Sequence, residues 1–449
     1  MDNCYLTLSE AIHTSYLINV MRYKNGLFLL IFLCLVSSWP SNAQLTSSSQ
    51  QATRSGLTRA QLHDRVLGML VGSAIGDAMG APTEMWSREM IGTMYGAVNR
   101  LDSMVREPSP EGTWYMNLPA GGTTDDTRWK KLITSYLLTQ RNGKAPLDPR
   151  AFANHILTQY RADVKRLKDT PGDDPAPFEA NARRMAWIQE WAKVAKPYAV
   201  QDWPGYTNAL HRFYGGEMTC AGMLYAPVLG TLFPGQPSRA YTEAFNLALF
   251  DLGYARDLSA LTSAMVAAAM TPGATPESIV NVVRDVDPQN YYQSRLIGRA
   301  GYRFLQRAQT VVYKAGQWSP TQMNLSQLVF PRTGRADTVE LARRQYAFTL
   351  LDAYNQELPL MSGEIFQISL TAMLYGQFDF VKSLTFAVNF GRDNDTTGAI
   401  IGAILGAYHG ADKLPADMVR QVVATNRKHT ETDLIRMADE LTQVIWARQ

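Results

Sequence analysis

Hydrophobic positions recur every three or four residues along most of the chain, with Gly or Pro at the breaks between segments. This is the period of helices that bury one face. The segments with the pattern are Ser238–Leu252, Asp257–Met270, Pro276–Val286, Tyr292–Gln309, Ala336–Asn355 and Gly363–Tyr375. The sequence has no series of alternating strands and no repeat of fixed period. It therefore predicts an all-α fold class, built as one compact multi-helix domain without a linker that would divide it.

Two further segments carry glycines at intervals of four residues. In the first, Thr58 and Gln61 have the spacing of a helix N-terminal capping box, and Pro82 predicts a helix end near Gly80. A glycine inside a helix costs about 1 kcal/mol relative to alanine, so several in register favour close approach of another backbone. We expect these two glycine-faced helices to pack together in the centre. Their glycines are Gly68, Gly72, Gly76 and Gly80, and Gly398, Gly402, Gly406 and Gly410.

Oxygen-rich clusters precede two of the predicted helices. Thr124, Asp125 and Asp126 come before the apolar pattern of Thr127–Arg141, and the second cluster, Asp393, Asp395 and Thr396, comes before the second glycine helix. Such residues are ordinary helix caps, but a cap needs only one of them. Carboxylate and hydroxyl oxygens without sulfur or histidine suit Mg²⁺ or Mn²⁺, and four carboxylates exceed the need of one ion. We expect both clusters to share two Mg²⁺ or Mn²⁺ ions.

Other charged positions near these clusters allow more than one interpretation. Asp77 and Glu84 lie at the carboxyl end of the first glycine helix, where the helix dipole does not favour acids, so they are either functional or solvated. Arg392 could meet an anionic substrate or pair with a neighbouring carboxylate. A calcium-binding loop starting at Asp393 is excluded because its twelfth position is Ile404. The acids near Pro171 fit an exposed loop between Lys168 and Pro177.

The composition is that of a large globular protein: 449 residues, 46% hydrophobic and 18% charged, with a net charge of +3 that is too weak to indicate nucleic acid. Residues Met21–Gln44 have a basic start, a short apolar run and small residues before Gln44, typical of a removable export signal rather than a stable membrane anchor. The predicted organisation is 1–43 upstream extension plus export signal peptide, with the start at Met21; 44–56 flexible leader; and 57–449 folded domain. The protein is then exported, periplasmic or secreted, and Cys220 is its one mature cysteine.

Three motifs in this order resemble the ADP-ribosylglycohydrolases, the group that includes dinitrogenase reductase-activating glycohydrolase. They are GSAIGDAMGAPTE, TTDDT and GRDNDTTGAIIGAILGA, beginning at Gly72, Thr123 and Gly391. The resemblance implies a compact orthogonal all-helical fold and a dinuclear Mg²⁺ or Mn²⁺ centre that hydrolyses the glycosidic bond of ADP-ribose. It also implies metal-ligand and catalytic roles for particular residues. The implied ligands are Thr124, Asp125, Asp126, Asp393, Asp395 and Thr396; the candidate catalytic residues are Glu84, Asp125 and Asp393, among which the proton acceptor stays open.

The chain departs from the family pattern at three places. Arg392 replaces the second glycine before the Asp-x-Asp pair, the central stretch Met223–Val228 lacks the usual arginine, and the Thr-His pair is replaced around Tyr254–Leu261. The expected function is hydrolysis of a small-molecule or protein-linked ribosyl substrate by a monomer. The alternatives are a catalytically silent ribosyl-ligand-binding protein of the same fold and a metal-dependent phosphoesterase.

Overall fold

Helices form nearly all of the regular structure in the computed structural model, which describes residues 55–103, 118–140, 146–294, 296–319 and 338–448. These ranges contain isolated bridge residues, such as the pair Thr219 and Met361, but no strand, and the all-α prediction is confirmed. The predicted export signal and most of the predicted leader lie outside them. The 17 α-helices of the described residues are α1 (Arg59–Gly80), α2 (Arg88–Met90), α3 (Asp125–Thr139), α4 (Pro149–Asp169), α5 (Pro175–Ala199), α6 (Trp203–Arg212), α7 (Ala226–Thr231), α8 (Pro237–Leu247), α9 (Ala255–Ala269), α10 (Pro276–Asp285), α11 (Ala300–Gly316), α12 (Thr338–Asp352), α13 (Ser362–Tyr375), α14 (Phe380–Phe390), α15 (Asn394–His409), α16 (Ala416–His429) and α17 (Leu434–Arg448).

The centre of the fold is the pair of glycine-faced helices, α1 and α15, as predicted. The α1 glycines face the α15 backbone in antiparallel order. A Cβ added to Gly68 would lie 2.2 Å from the Gly406 carbonyl oxygen. A Cβ added to Gly72 would lie 2.3 Å from that of Gly402, and one added to Gly76 would lie 1.9 Å from that of Gly398. No other residue type fits these positions without separating the axes. The carboxyl end of α1 therefore lies beside the amino end of α15.

The start and end of α1 follow the sequence signals. Thr58 accepts a hydrogen bond from Gln61 N and Thr58 N donates to the Gln61 side chain, so the predicted capping box is present. The helix ends at Gly80, and Pro82 lies in the short 3₁₀ turn Ala81–Thr83 that follows. Further helices pack around α1 and α15, among them α9 and α13, in which nearly all residues are buried. The described residues belong to one compact unit, Gln50–Gln449.

Three predicted helix boundaries were wrong, one of them the end of α11, which continues to Gly316 instead of ending at Gln309. The segment Tyr292–Gln309 begins with a separate 3₁₀ turn, and α11 starts only at Ala300, because Gly298 has a positive φ of 69° that interrupts the helix. The segment Ser238–Leu252 ends as helix α8 at Leu247. There the Tyr225 hydroxyl donates to the Leu247 carbonyl at 2.8 Å, so a tertiary contact replaces the next helical hydrogen bond.

The loop predicted between Lys168 and Pro177 is shorter than expected, because α4 continues to Asp169 and α5 begins at Pro175. A proline in the first turn of a helix loses no hydrogen bond, so the prolines here start α5 rather than prevent it. Within the described residues, no helix combines the length and the apolar character that a bilayer crossing requires.

Candidate functional site

Asp77, near the carboxyl end of α1, joins that helix to the amino end of α3. Its side chain is fully buried, so the interpretation of Asp77 as a solvated acid was wrong. One carboxylate oxygen accepts the backbone N–H of Thr124 at 2.9 Å, and the other accepts the N–H and the hydroxyl of Thr127 at 3.1 and 2.6 Å. Asp77 thus satisfies two amides at the start of a neighbouring helix and fixes the loop that carries Asp125 and Asp126.

The two oxygen-rich clusters come together at this point, although most of the chain separates them. The hydroxyl of Thr396, in the first turn of α15, donates to Asp126 Oδ2 at 2.9 Å across from the first turn of α3. Asp395 is close enough to both Asp77 and Asp126 to raise the pKa of each by charge repulsion. The convergence that the sequence predicted is therefore present in the fold.

Glu84 reaches the same place through a pair of irregular backbone segments. Met85 N–H donates to the Arg392 carbonyl at 2.8 Å, and Arg392 N–H donates to the Trp86 carbonyl at 2.9 Å. Gly391, with φ of 86°, makes this approach possible, since an added Cβ would lie 2.5 Å from the Trp86 carbonyl oxygen. The exchange holds the segment after Glu84 against the segment before Asp393, and Glu84 is buried, not solvated.

Arg392 pairs with a carboxylate, which decides between its two interpretations. Its Nε donates to Glu364 Oε1 at 2.6 Å and its Nη2 to Glu364 Oε2 at 3.0 Å, while Nη2 also donates to the Gln356 carbonyl at 2.7 Å. Arg392 has a φ of 70°, uncommon for a residue with a side chain. The bidentate pair anchors this turn to the first turn of α13, immediately before Asp393.

Helix capping accounts for only part of the clusters. The Thr124 hydroxyl accepts the Asp126 N–H at 3.3 Å, so it caps α3 in the ordinary way. Asp393 occupies the corresponding position of α15, yet its side chain makes no capping hydrogen bond; its backbone carbonyl accepts the Thr397 hydroxyl at 2.7 Å instead. The Asp393 carboxylate instead lies beside the side chains of Asp395, Thr396 and Cys220.

The carboxylates line a small, partly open cavity of about 30 Å³. A cavity of that size holds one water molecule or an ion but no sugar. Its rim is formed by Met85, Tyr214 and Leu360, of which Tyr214 has a left-handed φ of 48°. The predicted site residues on its wall are Glu84, Asp125, Asp393, Asp395 and Thr396. Thr124 instead lines a separate cleft on another face of α3.

Several buried carboxyl groups lie close together at the site and raise one another's pKa. Burial, followed by repulsion from Asp126 and Asp395, raises the pKa of Asp77 to about 8. Burial raises the pKa of Asp126 to about 6, with Asp395 adding to the effect and the Lys130 ammonium opposing it. Burial, then the charge of Asp395, holds the pKa of Asp393 well above its usual range. Each raised pKa means that an additional negative charge is unfavourable at this site.

Stability in the presence of a chelator should fall as the pH rises from about 4 to about 8. The raised pKa values of Asp77 and Asp126 mean that the folded chain keeps protons which the unfolded chain, with carboxyl pKa values near 3.9, has already released. Urea unfolding in EDTA at pH 5 and pH 8 measures this, and we expect the lower midpoint at pH 8. A midpoint that stays constant or rises between these pH values contradicts the prediction. Added Mg²⁺ or Mn²⁺ should raise the midpoint mainly at pH 8.

The oxygen donors of these residues are the type that a hard divalent cation binds, but their side chains are not arranged around one ion position. Asp126 Oδ1 and Asp395 Oδ1 are buried without a hydrogen bond from the described residues, and the Lys130 ammonium lies 3.5 Å from Asp126 Oδ1. In the part of the chain that the structure describes, however, no three Asp, Glu, His or Cys side chains already surround a common metal position. The Thr396 hydroxyl already donates a hydrogen bond to Asp126 Oδ2, so the carboxylates must rotate before they can bind an ion.

Three residues of this site were not predicted from the sequence. Glu364 was overlooked because it lies within an apolar helix pattern; a lone acid in the first turn of such a helix was the available signal. Lys130, whose side chain is 1% exposed, places its Nζ 3.5 Å from Asp126 Oδ1 and donates to the Asp126 carbonyl at 3.0 Å. The i to i+4 spacing from Asp126 indicated this pair. Cys220 Sγ lies 3.9 Å from Asp393 Oδ2, a contact with no sequence signal.

Comparison with known proteins gives three findings. The family model described as ADP-ribosylglycohydrolase matches residues 58–449. The uncharacterized protein YegU of Escherichia coli (strain K12) is 25% identical over 364 residues, which are 81% of this chain and 93% of that protein. A solved structure described as an ADP-ribosylglycohydrolase-related protein complex has 18% sequence identity and a TM-score of 0.49, and the match covers 87% of this chain and 100% of that one.

Proposed function

Because the chain belongs to the ADP-ribosylglycohydrolase family, we propose that it is a hydrolase that cleaves the N- or O-glycosidic bond of an ADP-ribosylated or related ribosylated substrate. The observation that carries the proposal is the convergence of Asp126, Asp395 and Thr396, from the amino ends of α3 and α15, beside the buried acid Asp77. A fold that needs these acids only for stability would gain from losing their repulsion. Their retention in one buried place supports a functional role.

We propose that the acids hold Mg²⁺ or Mn²⁺, with two ions as the expected number. The proposed ligands are Thr124, Asp125, Asp126, Asp393, Asp395 and Thr396. When bound, such ions stabilise negative charge and orient the hydroxyls of a ribose. Thr124 is the weakest member of this set, because its hydroxyl already caps α3 and it lines a different cleft.

The side chains around the cavity have complementary parts in the proposed reaction. Glu84, Asp125 and Asp393 all face the cavity, so each can accept the proton of an attacking water. Burial holds the pKa of Asp393 well above its usual range, which makes its carboxylate a stronger base than an exposed one. Substrate entry requires the rim to open, since about 30 Å³ excludes a ribose. The left-handed turn at Tyr214 and Gly215 is the part of the rim we expect to move.

The test is hydrolysis by the purified protein with Mg²⁺ or Mn²⁺, using ADP-ribose attached to peptides through N- and O-glycosidic bonds and simple ribosides. Release of ADP-ribose or ribose that stops when EDTA is added supports the proposal. Turnover that is unaffected by EDTA contradicts the metal requirement. Release of phosphate while every glycosidic bond stays intact contradicts the reaction type.

A ribosyl-ligand-binding protein without turnover is the second candidate, and Lys130 favours it. Its buried ammonium lies beside Asp126, so the chain already supplies one positive charge where a cation would otherwise be needed. This candidate predicts saturable binding of ADP-ribose with no product under any metal condition. Turnover of any ribosylated substrate in the same assay excludes it.

A further inference from the structure

A second cavity, which we name the basic cleft, opens on a face of α3 different from the one that carries Asp125. It has a volume of about 270 Å³ and lies between α3, α4, α5 and the connection from α16 to α17. Pockets for drug-sized ligands usually exceed about 300 Å³, so the cleft suits a smaller molecule or one group of a larger one. None of the residues considered for the glycohydrolase site except Thr124 lines it.

The walls of the basic cleft carry more positive than negative charge. Four cations line it, Arg128, Lys131, Arg166 and Arg184, against the two acids Asp163 and Glu431. Asp163 is turned to its neighbour, since Gln159 Nε2 donates to Asp163 Oδ2 at 3.1 Å. Burial lowers the pKa of Lys131, and the charge of Glu431 opposes this shift. Repulsion from Arg184, Arg128 and Arg166 lowers the pKa further. The repulsion among these cations indicates that an added anion is favourable here.

The donors are held in place rather than free in solvent. The Arg128 guanidinium lies 5.0 Å from the ring centre of Trp187, which forms part of the wall. The Lys131 ammonium also lies in the wall. The cleft therefore combines guanidinium groups and an ammonium, a set of donors that matches phosphate oxygens.

Glu431 lies at the mouth of the cleft in a strained conformation. Its φ of 54° is uncommon for a residue with a side chain. Its carboxylate accepts Arg184 Nη2 at 2.9 Å, and Lys131 Nζ donates to its backbone carbonyl at 2.7 Å. The Glu431 side chain is 66% exposed. An exposed carboxylate that pairs with the cleft arginine is the kind of group that a phosphate can displace.

We propose that the basic cleft binds a phosphate group, either as free inorganic phosphate or diphosphate or as the phosphate end of a small organic ligand. Glu431 is then an internal competitor that pairs with Arg184 until the ligand enters. This binding site is separate from the proposed glycosidic reaction, and neither depends on the other.

The test is isothermal titration of the full chain with inorganic phosphate, pyrophosphate and AMP in EDTA at low salt. We expect saturable binding that is tighter for pyrophosphate than for phosphate. AMP tighter than phosphate identifies an organic ligand, and equal affinities identify the free anion. Arg166→Gln should weaken pyrophosphate binding about tenfold, which corresponds to about 1.4 kcal/mol, because a charge-assisted hydrogen bond to the phosphate is lost. Glu431→Gln should tighten it severalfold.

Lys165→Met is the matched control, because Lys165 is the neighbour of Arg166 on α4 but pairs with Asp169 outside the cleft. Its affinity for pyrophosphate should equal that of the unchanged protein. The proposal is wrong when no saturable binding occurs, or when Lys165→Met and Arg166→Gln weaken binding equally. It is also wrong when Asp395→Asn, at the other cavity, removes the binding and Arg166→Gln does not.

Discussion

Gly76→Ala is expected to lower the free energy of unfolding by about 3 kcal/mol or more, the upper part of the range for an overpacked core. The added methyl carbon would lie 1.9 Å from the Gly398 carbonyl oxygen and 2.3 Å from the Gly398 carbonyl carbon. Both atoms are backbone, so no side chain can rotate away. Relief requires α1 and α15 to separate, and that movement disturbs every contact along the antiparallel pair. Urea unfolding followed by circular dichroism measures the loss.

Gly316→Ala is the matched control for Gly76→Ala. Gly316 is also helical, at the end of α11, but an added Cβ there meets nothing within 4 Å. Alanine is about 1 kcal/mol more favourable than glycine inside a helix, so this variant should be as stable as the unchanged protein or slightly more stable. Equal stability of the two variants would show that the α1 and α15 axes are not in close contact. Failure of only Gly76→Ala to yield folded protein supports the prediction.

The glycine register explains why so much of the centre could be predicted from the sequence. A glycine at every fourth position of two helices is costly unless both backbones meet there, and the meeting brings the ends of those helices together. The structure packs the two helices antiparallel, an order that the glycine spacing alone does not determine, and this order places Asp77 at the end of α1 near Asp395 at the start of α15. The oxygen-rich residues before α3 were harder to place, because the contact from Asp77 to Thr124 and Thr127 joins distant parts of the chain.

The parts that the sequence did not predict depend on tertiary contacts without a local signal. The burial of Lys130 follows from the helices that cover α3, because its spacing from Asp126 indicates a pair with that acid but not that the pair is buried. Glu364 pairs with Arg392 only because α13 passes under the turn before Asp393. The end of α8 at Leu247 depends on a hydroxyl from Tyr225. The helical period predicts which face of a segment is apolar. Burial of a charged residue, ion pairing and the end of a helix depend on the elements that pack against that segment.

Asp395→Asn is expected to reduce the proposed glycosidic hydrolysis by more than about a hundredfold, since loss of a residue that only supports a metal ligand already costs about 10–100-fold. Asp395 faces the cavity, and its charge acts on Asp77, Asp126 and Asp393 together. Asparagine keeps the shape and removes the charge. Initial rates with Mg²⁺ or Mn²⁺ measure the effect. Asp173→Asn, in an exposed turn, is the control and should retain full activity.

The same Asp395→Asn change should raise stability in EDTA by roughly 0.5–2 kcal/mol, the usual gain when a strained functional residue is replaced. Removing this charge relieves repulsion on three other buried carboxylates. That repulsion destabilises the fold only while no cation is present. Mg²⁺ or Mn²⁺ should then raise the melting temperature of the unchanged protein but leave that of the variant nearly constant. Opposite signs for stability and activity distinguish a cation site from a structural network, since a residue needed for packing would lose both. A variant that is less stable than Asp173→Asn in EDTA would therefore assign Asp395 to the structural support of the fold.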